Sequence, residues 1–107
     1  MLDNHHITGT GGISELWYND EYPEDQVIAL WKSLLQRVKD KWNVFAIDLK
    51  NEPHDAATWG SGNAKTDWNS AAERFIRAFA DFKGLYFVEG IEWATRLEAV
   101  ADHPINT

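Results

Sequence analysis

Two short apolar runs, each placed just after an amphipathic helical pattern, constrain this chain more than anything else in it. Val44-Phe45-Ala46-Ile47-Asp48-Leu49 follows Asn43, and Leu85-Tyr86-Phe87-Val88 follows Gly84. Neither run alternates apolar with polar residues, so each reads as a strand covered on both faces, the signature of a parallel sheet. The segments before them fit the crossover helices that parallel strands require. Pro23-Glu24-Asp25 opens the first with acids in its first turn, and Val27, Leu30, Trp31, Leu34, Leu35 and Val38 fall on one helical face. Trp68, Ala71, Ala72, Phe75, Ile76 and Phe79 repeat that spacing in the second, and Lys83-Gly84 closes it. The pattern predicts helices over about 24–41 and 67–82, with parallel, adjacent strands over about 44–50 and 85–89. Leu2 fits the tail of an earlier strand.

Alternating helices and buried strands give an α/β fold with right-handed crossovers. A doubly wound sheet and a (β/α)8 barrel both fit. No Gly-rich turn follows a strand, which disfavours the nucleotide-binding form. The strand-to-helix connections, residues 5–22 and 53–66, are long, whereas the helix-to-strand connections, 42–43 and 83–84, are short. Barrel enzymes carry their chemistry on long loops at the C-terminal ends of strands. Both loops should therefore lie on one face. The 107 residues suffice for one domain, 1–107. A net charge of −7 disfavours nucleic acid and anionic membranes as partners, and no apolar run is long enough to span a bilayer. The absence of cysteine removes disulfides and thiolate sites.

Six tryptophans is a high count for this length. Trp31, Trp42 and Trp68 sit in or beside regular elements and are expected to pack. Trp17, Trp59 and Trp93 fall in loop-like sequence, where an exposed indole needs a reason. Together with Tyr18 they are candidate platforms for sugar rings, with packing beneath the long loops as the alternative. Glu52 ends a buried strand between Asn51 and Pro53. An acid there can give a proton and then take one back, or can simply solvate the strand end. Asn51 offers an amide to a sugar hydroxyl. Glu89 ends the neighbouring strand as a hydroxyl acceptor, as a support for the site, or as a salt-bridged acid. Asp48 sits inside an apolar run and needs a partner, such as Lys50. His5 and His6 lie near Asp3, but adjacent histidines on an extended chain point opposite ways and no third ligand is evident. No metal and no cofactor is expected.

The string Phe45-Ala46-Ile47-Asp48-Leu49-Lys50-Asn51-Glu52-Pro53-His54-Asp55 resembles the signature of glycoside hydrolase family 5, which includes endoglucanases that cut β-1,4-glucan. Leu2-Asp3-Asn4-His5 looks like the end of that family's third strand, and Leu16-Trp17-Tyr18 like the loop after it. Ala57-Thr58-Trp59-Gly60, then Trp68 with Ala71-Ala72-Glu73-Arg74, look like the loop and helix after the acid. Phe87-Val88-Glu89-Gly90 looks like the end of the fifth strand, and residues 97–105 like the following loop. The resemblance covers essentially the whole chain. It implies a partial (β/α)8 TIM barrel and a retaining hydrolase acting on a cellulose-like polysaccharide. It implies that Glu52 is the acid/base, that Asn51 contacts the hydroxyl beside the reacting carbon, and that His5 lines the cleft. Trp17, Trp59 and Glu89 complete the expected substrate-binding set.

In that family the nucleophile is a glutamate on the seventh strand, and a barrel takes about 250 residues. The resemblance therefore implies an internal fragment of one catalytic domain, inactive alone and dependent on the remaining strands. It also implies export of the parent enzyme, although residues 1–6 show no signal peptide. Two alternatives stand beside it: a non-catalytic glucan-binding remnant that uses the loop tryptophans, and an unrelated small α/β domain in which Asn-Glu-Pro is coincidence.

Overall fold

The computed structural model describes residues 1–107. The elements run β1 (Leu2–Asp3), α1 (Glu24–Val38), β2 (Ala46–Asp48), α2 (Trp68–Ala78), β3 (Leu85–Phe87) and the short turn α3 (Ile91–Ala94), followed by a 3-10 turn at Glu98–Val100. The three strands form one sheet in the order β1-β2-β3, and both pairings are parallel. Leu2 pairs with Ile47 and Asp3 with Asp48 on one side of β2; Ala46, Ile47 and Asp48 pair with Leu85, Tyr86 and Phe87 on the other. The expected crossover architecture is present, and Leu2 does belong to a strand.

Helix α1 starts beside Pro23, places Glu24 and Asp25 in its first turn and Arg37 in its last, and so matches its own dipole at both ends. It buries Val27, Trp31 and Leu35, a stripe at four-residue spacing. Leu30 and Leu34, expected on the same face, are 56% and 40% exposed. The buried stripe is narrower than the apolar pattern. Helix α2 buries Trp68, Ala71, Ala72 and Phe75 completely, and the two alanines let the helix lie close to its neighbours. These residues join Trp17, Ile47, Leu49, Trp59 and Phe79 in one core. The Arg74 guanidinium ties the helices together: Nε donates to Glu24 Oε1 at 2.6 Å and Nη2 to Oε2 at 2.9 Å. This fork geometry is the strong form of an ion pair.

Several boundaries differ from expectation. Helix α1 stops at Val38 and not 41, because Lys41 N–H bonds back to the Val38 carbonyl at 2.9 Å and the chain turns. That turn leaves Trp42 91% exposed, so it does not pack. Helix α2 stops at Ala78 and not 82: Phe79 leaves helical geometry, and the Phe82 N–H closes a tight turn on the Phe79 carbonyl. Gly84 is therefore not the helix cap. It stands before β3, where a Cβ would lie 2.3 Å from the Phe45 carbonyl oxygen. The strand ladders are three residues long. Strand β2 is buried on both faces as expected, whereas on β3 Leu85 and Phe87 are 61% and 48% exposed because they face away from the helices.

The contact at Gly84 is backbone against backbone, and the Leu85 N–H donates to the same Phe45 carbonyl at 2.9 Å. Gly84→Ala should destabilise the chain by about 1–3 kcal/mol, the usual cost of overpacking. Urea denaturation followed by circular dichroism checks this, and an unchanged midpoint would rule out the close approach.

Candidate active site

Because β1, β2 and β3 are parallel, their C-terminal ends meet on one face, and the ladder continues past them. Asn4 N–H donates to the Asp48 carbonyl at 3.2 Å, Asn51 N–H to the Asn4 carbonyl at 3.0 Å, and Leu49 N–H to the Phe87 carbonyl at 3.2 Å. Asn4, Asn51 and the segment leading to Glu89 are thus held side by side. His5 follows Asn4 directly, so it lies at the same end as Asn51 and Glu52. Its exposed ring donates from Nδ1 to Asp3 Oδ2 at 2.9 Å. His6 faces a different partner, the Gly12 carbonyl.

Glu52 sits in the left-handed region with φ of 45°, which is uncommon for a residue with a side chain. Its backbone is held on both sides: the N–H donates to Glu89 Oε2 at 2.7 Å, and the carbonyl accepts from His54 Nδ1 at 2.7 Å. Because a carbonyl can only accept, the His54 proton resides on Nδ1. The His54 ring is buried and stacks on Trp93, with centroids 3.4 Å apart and planes 13° from parallel. Trp93 N–H donates to the Pro53 carbonyl at 3.1 Å. Glu92, Trp93 and Ala94 all have positive φ, a run of strained backbone that presses the indole onto His54. Asn51 Nδ2 is buried and makes no hydrogen bond within the chain.

Inside the sheet, on the side of β2 that faces away from Ile47, lies a charged cluster. Asp48 accepts the Lys50 N–H at 3.3 Å, and the Glu89 carboxyl acts on it from the neighbouring strand end. Burial, then hydrogen bonding and charge from Glu89, then the charge of Asp3 push the Asp48 carboxyl up to about 7. Burial pulls the Lys50 amine down to about 8, against the opposing pull of Glu89, Asp3, Asp48 and Glu52. Lys50 is fully buried and donates from Nζ to the Asn51 carbonyl. The expected partner of Asp48 is therefore only partly right: its carboxyl meets the backbone N–H of Lys50 and not the amine, which bonds the Asn51 carbonyl.

The loop tryptophans divide. Trp17 is fully buried, donates from Nε1 to Glu24 Oε2 at 2.9 Å and packs on Trp68 at 5.5 Å. It is a core residue that pins residues 5–22 to α1, so it offers no sugar platform. Trp59 is 8% exposed and donates to the His103 carbonyl at 2.8 Å; the adjoining cavity is lined by Ile91, Glu92 and residues 96–100. It too packs, beneath the last loop. Trp93, 46% exposed, is the loop indole linked to Glu52 through His54, on whose ring it stacks. The loop that follows Glu52 is fixed by Asp67, which the sequence reading passed over. Its carboxylate accepts from Thr58 Oγ1, Ser61 N–H, Ser61 Oγ and Gly62 N–H at 2.7–2.9 Å. An Asp just before a helix in a Ser/Gly/Thr-rich loop is the signal that would have found it.

The whole chain, residues 1–107, matches the family model described as Cellulase (glycosyl hydrolase family 5). An endoglucanase from Paenibacillus polymyxa is 42% identical over 98% of this chain and 30% of its own length. The major extracellular endoglucanase of Xanthomonas campestris pv. campestris is 43% identical over 98% of this chain and 20% of its own length. Among solved structures, a substituted endocellulase from Pyrococcus horikoshii in complex with cellotetraose superposes with a TM-score of 0.93 at 36% identity, over 99% of this chain and 36% of that one. The chain thus spans less than a third of either endoglucanase.

The charged cluster gives folding a pH signature. Asp48 keeps its proton up to about 7 in the fold but releases it near 3.8 when unfolded. Between those values the folded state binds more protons, so stability falls as pH rises. Lys50 loses its proton at about 8 in the fold against 10.5 unfolded, so stability rises with pH over that second window. Glu24 runs the other way at low pH. Burial raises its carboxyl, but Arg74 and the Trp17 N–H outweigh that and hold it below the usual range, so its contribution is lost on acidification. Asp48→Asn should flatten the fall between about pH 5 and 7. Urea midpoints for both proteins across that range test this; equal pH dependence would contradict the assignment.

Proposed function

The chain belongs to the cellulase family, glycosyl hydrolase family 5, and from that premise we propose that it is the part of a retaining β-1,4-glucanase that supplies the general acid/base, Glu52. The observation that carries this reading is the local geometry of Glu52. It stands at the C-terminal end of a buried parallel strand, with its backbone held in a left-handed conformation from both sides. Such strain persists where the surroundings over-determine it, and it concentrates at working sites.

The neighbouring groups support a sugar as the substrate. The buried, unpartnered amide of Asn51 is a donor in need of an acceptor, and a sugar hydroxyl supplies one. Trp93 presents one indole face while His54 backs the other, which suits stacking against pyranose C–H groups. His5 stands at the same strand ends with an exposed ring. A β-1,4-glucan is the proposed ligand, in keeping with the cellotetraose complex of the Pyrococcus endocellulase. Export of the parent enzyme is in keeping with the extracellular Xanthomonas relative.

Glu52 in this reading protonates the departing glycosidic oxygen and then deprotonates the incoming water. Retention also needs a nucleophilic carboxylate about 5–5.5 Å from the acid. Glu89 does not suit that role, because its carboxylate is engaged by the Glu52 N–H. The nucleophile is assigned to residues outside 1–107, in keeping with relatives several times longer.

Residues 1–107 should accordingly release no reducing sugar from carboxymethylcellulose, with circular dichroism as the folding control. Extending the chain to a full barrel should give activity, and Glu52→Gln in that enzyme should lower kcat by at least about 10²–10⁴-fold. Robust hydrolysis by residues 1–107, or a fully active Glu52→Gln enzyme, would overturn the assignment.

A further inference from the structure

Glu89 sends a carboxylate to the Glu52 backbone from a tightly fixed stretch of main chain. Its own backbone is fixed: the Trp68 indole N–H donates to the Glu89 carbonyl at 3.0 Å. The next residue, Gly90, is buried so closely that a Cβ would lie 2.1 Å from the Arg96 carbonyl oxygen. From this fixed origin the Glu89 carboxylate reaches across to the neighbouring strand and accepts the Glu52 N–H at 2.7 Å. A charged acceptor makes that bond roughly twice as strong as a neutral one.

We propose that Glu89 is the positioning residue for Glu52: its carboxylate grips the Glu52 N–H and holds the backbone turn that sets where the acid/base side chain leaves the main chain. The proposal rests on Glu52 being the acid/base, and it deepens that assignment.

Amide exchange of the isotopically labelled 107-residue chain tests this without any assay of turnover. The Glu52 amide should be protected, and Glu89→Ala should speed its exchange by about tenfold or more, the loss of one good hydrogen bond. Glu89→Gln keeps the shape and a weaker acceptor, and should speed it less, with α2 amides unchanged in both. If the alanine variant fails to fold, the isosteric glutamine variant decides. Unchanged exchange in the folded Glu89 variants overturns the proposal. These readouts report backbone position alone. A full-length enzyme that stays active as Glu52→Gln would sink the acid/base assignment and leave the exchange result standing.

Discussion

The parallel ladder on both sides of β2 carries the site. Ile47 and Leu49 face the helices and are wholly buried there. Burying them settles which way the strand faces, since a one-residue slip would turn them to the other side. With the register fixed at Asp3–Asp48–Phe87, the residues just beyond each strand arrive at the same end. Asn4, Asn51 and Glu89 then need only one to three further residues to meet. The convergence of polar side chains on one face follows from apolar burial on the other.

Long loops of Gly, Ser, Thr and Asn have little core of their own, so each is fastened by a buried polar anchor. Residues 5–22 are fastened by Trp17, whose indole enters the core and whose N–H reaches the same Glu24 carboxylate that Arg74 grips. One carboxylate thereby joins α1, α2 and a loop. Residues 58–67 are fastened by Asp67, which satisfies two backbone N–H groups and two hydroxyls at once. Burial raises the Asp67 carboxyl, but those four donors outweigh it and hold the group below the usual range. The segment around Trp59 is fastened through the His103 carbonyl, and Gly60 has no room for a side chain because the His103 ring stands where its Cβ would be.

The inner face of the sheet obeys a different economy. Ala46, Asp48 and Lys50 share one side of β2, and two of the three carry ionisable groups in a buried strand. Charges there are costly unless paired and hydrogen-bonded. The chain meets that cost by shifting Asp48 towards its neutral form and by placing Lys50 among four carboxylates. Glu89, one of the carboxyl groups whose charge acts on Asp48 and Lys50, is also the acceptor of the Glu52 N–H.

Periodicity and punctuation determined the parallel α/β plan, the order of its elements and the face that carries the long loops. These depend on local spacing: helical apolar stripes, unbroken strand runs and turn residues are properties of neighbouring positions. The Asn51-Glu52-Pro53 string likewise marked the candidate acid without coordinates. Tertiary structure alone decided which tryptophans pack and which face outward, because an indole in loop-like sequence is buried or exposed by what folds over it. Trp17 found a carboxylate and Trp68, Trp59 found the His103 carbonyl, and Trp93 was left half exposed on the ring of His54. The bond from the Glu52 N–H to Glu89 spans 37 positions of sequence. No local pattern encodes it, and it exists because two parallel strands in register end side by side.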